Sequence, residues 1–143
     1  MQGSETLHTS TFQEEDLITE NFIDAYLAYS PAGEAEGQLV YVNFGTKSDF
    51  ELLSNVSSPY FTNITGRVCI SRYGQIFRGN KAQNAADAGC AGLIIFSDPA
   101  DVAGEGQEPE NVYPNTMFLP DTGIQRGNVG LIKYKDNLPS IPI

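Results

Sequence analysis

One histidine, two cysteines, no tryptophan and eight basic side chains against eighteen acidic ones set this 143-residue chain apart by what it lacks. A two-histidine zinc site cannot be assembled from a single imidazole. His8 lies in the polar stretch Met1 to Ser10 with nothing beside it to orient its ring, so a Ser-His-Asp or Cys-His pair has no positioned base. Two cysteines make neither a disulfide scaffold nor a four-cysteine zinc site. A net charge of −10 repels nucleic acid and anionic lipid, so no nucleic-acid partner is expected. The longest apolar runs, such as Gly92-Leu93-Ile94-Ile95-Phe96, fall far below the ~20 residues that span a bilayer. Met1 is followed by polar and acidic residues, not by a basic and then apolar stretch, so no signal peptide is read.

What is present suits one domain with a leader. With 41% hydrophobic residues the chain can build a core, and a domain of this size buries roughly 68–70% of its unfolded surface. Residues 1–21 read as a polar leader or edge segment, with Phe12 to Ile18 able to add an edge strand. Residues 22–143 read as the domain. Gly37 to Phe44 (GQLVYVNF) is rich in strand formers. Thr46 can cap a short helix through Leu53. Gly66 to Arg72 (GRVCISR) predicts a strand, Phe77 to Ala88 a helix with Ala82, Ala85 and Ala86 on one face, and Gly89 its left-handed end. Gly92 to Ser97 predicts a second strand whose continuous apolar run implies burial on both faces. Strand, helix, strand makes one βαβ unit with parallel strands. Met117 to Leu119, Val129 to Tyr134 and Leu138 to Ile143 are further short strand candidates, and the class is α+β.

Four features carry chemistry. Asn55-Val56-Ser57 and Asn63-Ile64-Thr65 match the N-glycosylation acceptor pattern within one polar, turn-rich stretch, which points to an ectodomain. The acids Asp101, Glu105, Glu108 and Glu110 offer oxygen ligands, but their spacing is not that of an EF-hand and a solvated acidic loop is the simpler reading. Cys69 and Cys90 can be two small core residues or a disulfide, and spacing does not decide between them. Gly74 to Lys81 (GQIFRGNK) sits where a phosphate loop would lie, yet Asn80 holds the lysine position and Ala82 follows Lys81, so the Mg²⁺-binding hydroxyl is missing. Arg78, Asn80 and Lys81 at a helix start can instead grip a carboxylate, or form a solvated basic turn.

These residues resemble a known family. The runs Ser30 to Asn43 (SPAGEAEGQLVYVN), Gly66 to Pro99, Gly123 to Asn128 (GIQRGN) and Leu138 to Ile143 (LPSIPI) are similar, in order, to the protease-associated domain of glutamate carboxypeptidase II and its relatives. Tyr41 to Leu52 (YVNFGTKSDFEL) is also similar to the apical domain of transferrin receptor. The resemblance implies short β-strands in a sandwich or open barrel with flanking helices. It implies a domain that roofs the substrate cleft of a zinc-dependent exopeptidase on an extracellular or membrane-anchored homodimer. Such a domain contributes no zinc ligand and no catalytic base, so the chain alone should not turn over substrate. The arginine of the family's RGN motif is Arg78 and the asparagine closing its QRGN motif is Asn128. The resemblance makes both contacts for the C-terminal carboxylate of a peptide substrate. The stretch that follows QRGN in the family, part of which helps bind structural calcium, is absent here, so the resemblance does not carry a calcium site over. Two alternatives accompany this reading: a protein-binding apical module, and a truncated product without activity.

Overall fold

The computed structural model describes residues 9, 25–98, 101, 108–111, 113, 115–116 and 123–131. The chain divides into two compact units, one of Leu27–Phe96 with Gly127–Ile143, the other of Met1–Tyr26 with Ser97–Arg126. The boundary expected at residue 21, the Phe12 to Ile18 strand, the Met117 to Leu119 and Leu138 to Ile143 strands, and His8 all lie outside the described residues.

The first unit holds the regular structure. Strands β1 (Leu27–Ala28) and β2 (Leu39–Tyr41) are followed by helix α1 (Lys47–Ser54), strand β3 (Val68–Arg72), helix α2 (Arg78–Asp87), and strands β4 (Gly92–Phe96) and β5 (Gly127–Asn128). In the second unit, Pro109–Asn111 forms a single 3₁₀ turn within the stretch expected to be acidic loop. Val129 to Leu131, expected to begin a strand, carries no regular structure.

Strands β2, β3 and β4 form a parallel sheet in that order, with Val40 opposite Cys69 and Cys69 opposite Leu93. The sequence predicts one βαβ unit, and the structure has a second: β2–α1–β3 is also parallel. Period-two alternation puts Val40, Val42, Cys69 and Ser71 on the buried side of the sheet. Phe50 of α1 and Ala85 of α2 pack there with Ile64, and Leu53, Ala88, Cys90 and Leu93 close around them. Burying a side chain as large as Phe50 is worth ~1.5–3 kcal/mol. The small Ala85 lets α2 approach the sheet closely. The opposite side is more open. Ile94, expected to be buried on both faces of its strand, is 46% exposed.

The helix ends follow local chemistry. Thr46 caps α1: its Oγ1 accepts from the Asp49 N–H, while Asp49 accepts from the Thr46 N–H at 2.9 Å. Gly89, at φ +83°, ends α2 in the left-handed region as expected. The cysteine alternatives resolve into a pair: Cys69 of β3 and Cys90, just past α2, form a disulfide with Cα atoms 6.0 Å apart. The bond ties the end of the helix back to the strand that precedes it. Closing a loop of this length stabilises a fold by about 3 kcal/mol through the unfolded state.

Candidate functional site

Strand β5 pairs with β1 in a two-stranded parallel sheet, Leu27 opposite Gly127 and Ala28 opposite Asn128. The Val129 N–H extends the ladder by donating to the Ala28 carbonyl at 3.0 Å. This pairing brings Asn128 to the first turn of α2, where Arg78 is the first helical residue. Of the two residues singled out in the sequence, Arg78 thus meets the strand at Gly127, the residue before Asn128.

The contact depends on two glycines. A Cβ placed on Gly127 would stand 2.5 Å from the Arg78 Cζ, so the guanidinium lies directly against bare backbone. A Cβ on Gly79 would stand 2.7 Å from the Val129 carbonyl oxygen. At Gly79, therefore, the first turn of α2 and the Val129 backbone approach more closely than a side chain would permit, whereas at Gly127 the neighbour is the movable end of a side chain. The Tyr73 ring centroid lies 5.5 Å from the Arg78 Cζ, within cation–π range. The Asn128 Oδ1 accepts from the Gly130 N–H at 3.1 Å. That bond orients the amide so that Nδ2 is its donor side. Both side chains are half-buried. Phe77, the N-cap of α2, makes no side-chain cap bond, and no acid occupies the first turn. The helix start is therefore electropositive. A planar guanidinium, an amide donor and a helix start together suit an anionic, planar group such as a carboxylate.

Lys81 does not belong to this arrangement. Sequence reasoning placed it in an anion grip or a solvated basic turn, and the structure overturns both: the residue is 0% exposed. Its Nζ donates to the carbonyl oxygens of Phe44 and of Gly74, the latter at 2.8 Å. Asn84 donates to the Gly45 carbonyl at 2.9 Å, and the Ser71 hydroxyl to the Asn43 carbonyl at 3.0 Å. Lys81 and its neighbours thus pin the turns after β2 and β3 to α2. Burial pushes the Lys81 ammonium below its ordinary range, and the nearby Asp49 carboxylate opposes that shift. For Asp49 burial acts upward, but hydrogen bonds from the Thr46 hydroxyl at 2.7 Å and the Asn43 amide at 3.0 Å outweigh it and hold the carboxyl below its usual 3.8. The Phe44 ring carries a second cation, with the Arg72 Cζ 4.0 Å from its centroid.

The other sequence candidates belong to other segments of the chain. Asn55 and Asn63 are exposed in the α1–β3 connection. Asp101, Glu108 and Glu110 belong to the second unit, Glu105 lies outside the described residues, and no metal-binding cluster occurs among the described residues. A groove of about 460 Å³ runs between residues 30–35 and the alanine face of α2, and neither Arg78 nor Asn128 lines it. Two things escaped sequence reasoning. Nothing local marked the β1–β5 pairing or the burial of Lys81. The glycines of RGN and QRGN were visible signals of close backbone approach, though which partner each met was not.

Comparison with known proteins gives the arrangement a setting. Glutamate carboxypeptidase 2 homolog of Caenorhabditis elegans is 43% identical over 104 residues, which is 73% of this chain and 13% of that protein. Aminopeptidase NAALADL1 of Mus musculus is 35% identical over 127 residues, 86% of this chain and 16% of its own length. Transferrin receptor protein 1 of Gallus gallus is 40% identical over 75 residues, 52% of this chain and 9% of the receptor. The chain thus spans a small part of the length of each relative. Residues 29–132, which include β2, α1, β3, α2, β4, β5 and both Arg78 and Asn128, match the family described as the PA domain. This chain belongs to the PA domain family, and its relatives include glutamate carboxypeptidase homologs and a transferrin receptor.

Proposed function

We propose that this chain is the non-catalytic PA domain of a glutamate-carboxypeptidase-like zinc exopeptidase. In this reading it caps the substrate cleft, holds the C-terminal carboxylate of a peptide on Arg78 and Asn128, and is inactive alone. The observation that supports the proposal is the packing of the Arg78 guanidinium against Gly127, the residue before Asn128. In this reading the Arg78 guanidinium and the Asn128 amide hold the carboxylate, and the start of α2 favours the anion. The metal ions and the catalytic base belong to the peptidase domain of the parent chain, which is the principal partner, with a homodimer of parents around it. A full sandwich or open barrel completes the domain in that setting. The exposed sequons at Asn55 and Asn63 and the Cys69–Cys90 disulfide support an extracellular or membrane-anchored ectodomain, because disulfides persist in oxidising compartments.

The test is kinetic. In the full-length parent, Arg78→Ala should weaken binding of a free C-terminal carboxylate by ~1.5–3 kcal/mol, the scale of a charge-assisted hydrogen bond. Binding of the same peptide with an amidated C-terminus should not change. Equal effects on both peptides would remove the carboxylate from the reading. The chain by itself, with zinc added, should hydrolyse an acidic dipeptide no faster than a heat-killed control, and turnover above it would sink the proposal. A second reading, a protein-binding apical module, draws on the identity with the transferrin receptor. It has no use for a carboxylate grip, so Arg78→Ala would leave its partner affinity unchanged.

A further inference from the structure

The two sequons are not equivalent. In both, the asparagine Oδ1 accepts the backbone N–H two residues on: Ser57 to Asn55 at 2.9 Å, Thr65 to Asn63 at 3.2 Å. Each turn occupies the oxygen and leaves Nδ2, the atom that is glycosylated, pointing away from the backbone. The difference lies two residues earlier. Asn55 ends α1 and is preceded at that position by Leu53, which packs against the core. Asn63 has at that position Phe61, which is 48% exposed.

The segment around Asn63 alternates in burial. Phe61, Asn63 and Thr65 are exposed, while Thr62 is half-buried and Ile64 is buried. The Thr62 N–H donates to the Leu53 carbonyl at 2.9 Å, and the Ile64 carbonyl accepts from Arg67 at 3.1 Å. This alternation, with Thr62 and Ile64 turned inward, leaves Phe61 and Asn63 exposed on the same side of the segment, just before the turn at Thr65. An aromatic face carries negative charge density and a large apolar area. The polarised C–H groups on one side of a pyranose ring are its natural complement.

We infer that Asn63 is the principal glycan acceptor of this chain and that the Phe61 ring is a platform on which its first N-acetylglucosamine stacks. This inference rests on the ectodomain reading above. Phe61 then has a stabilising role that exists only in the modified protein. Asn55, lacking a ring two residues before it and carrying Ser where Asn63 has Thr, is the weaker acceptor.

The experiment directs the full chain into the secretory pathway of cultured eukaryotic cells behind a cleavable leader. Peptide mass spectrometry then reads occupancy at each sequon. Asn63 should be occupied at least about twice as fully as Asn55. In an Asn55→Gln background, the glycan on Asn63 should raise the melting temperature by ~2–4 °C relative to Asn63→Gln, the scale of one aromatic contact in a domain this size. Trimming the glycan to a single N-acetylglucosamine should keep that rise. Phe61→Ala and Phe61→Leu should each abolish it, and Phe61→Trp should retain it. Because each comparison is made within one Phe61 background, the intrinsic cost of the substitution cancels. An occupied Asn63 whose glycan stabilises the Phe61→Leu protein as much as the parent would overturn the stacking and leave the ectodomain reading standing. Equal occupancy at both sites would overturn the ranking of acceptors. No glycan at either site would overturn both the inference and the sequon support for an ectodomain.

Discussion

The two parallel sheets of the first unit divide the work of the domain between them. The β2–β3–β4 sheet has strands of three to five residues, a packed face and a disulfide at its margin. The β1–β5 sheet has two residues per strand, drawn from segments far apart in sequence, and none of its four residues is in the core cluster. Yet the second sheet positions Asn128 and lays Gly127 against Arg78. Fold strength and the proposed recognition chemistry sit in different sheets, and α2 is the element common to both. Ala85 faces the core, and Arg78 and Gly79 face β5. A domain organised this way can vary its recognition edge without rebuilding its core.

If that division holds, substitutions should sort by sheet. The largest effect is expected from Cys69→Ser with Cys90→Ser, which should cost about 3 kcal/mol in urea unfolding while leaving the Arg78 environment in place. A carboxylate affinity of the parent enzyme that fell along with stability would show the two sheets to be coupled. Next is Lys81→Met, which leaves the Phe44 and Gly74 carbonyls without their donor and should destabilise by about 2 kcal/mol. A neutral result would mean that the desolvation of the ammonium already offsets its hydrogen bonds. Gly127→Ala tests the recognition side. The new methyl meets the far end of a movable side chain, so stability should change by less than ~0.5 kcal/mol. Displacing the guanidinium should still weaken carboxylate binding about tenfold, or ~1.4 kcal/mol. The smallest effect is one of pH. Asp49 has a folded pKa held below 3.8, so its contribution is complete above that value and is lost as pH falls through the lower, folded one. The stability difference between the wild type and Asp49→Asn should therefore shrink between pH 6 and pH 3.

The larger sheet and both helices were legible because their signals are local. The strand formers of residues 37–44 and 66–72, the Thr46 cap and Gly89 mark elements that the structure places within one or two residues of expectation, apart from the shorter β2. The parallel pairing of β2 with β3 was missed because α1 is a short, weakly amphipathic crossover flanked by a long turn-rich stretch. The disulfide stayed open because pairing depends on a Cα separation that no spacing in the chain encodes. Lys81 misled because a lysine at a helix start ordinarily reaches water, and only two carbonyls from distant turns make its burial tolerable. For the proposed carboxylate site, the family motifs picked out Arg78 and Asn128, while Gly127 and Gly79 acquire meaning only once their partners are known.

The register of the small sheet also sets an order of assembly. Leu27 pairs with Gly127, a hundred positions later, whereas the larger sheet is complete at Phe96. Contacts so remote in sequence form late, because a long loop must close before they stabilise anything. On a translating ribosome the sheet carrying the disulfide can fold while the chain is still growing. The two halves of the recognition edge cannot meet until residue 128 has emerged. The larger sheet can therefore become stable before the proposed site is assembled, and a nascent chain stalled shortly after Phe96 would carry Arg78 with no Gly127 to pack against.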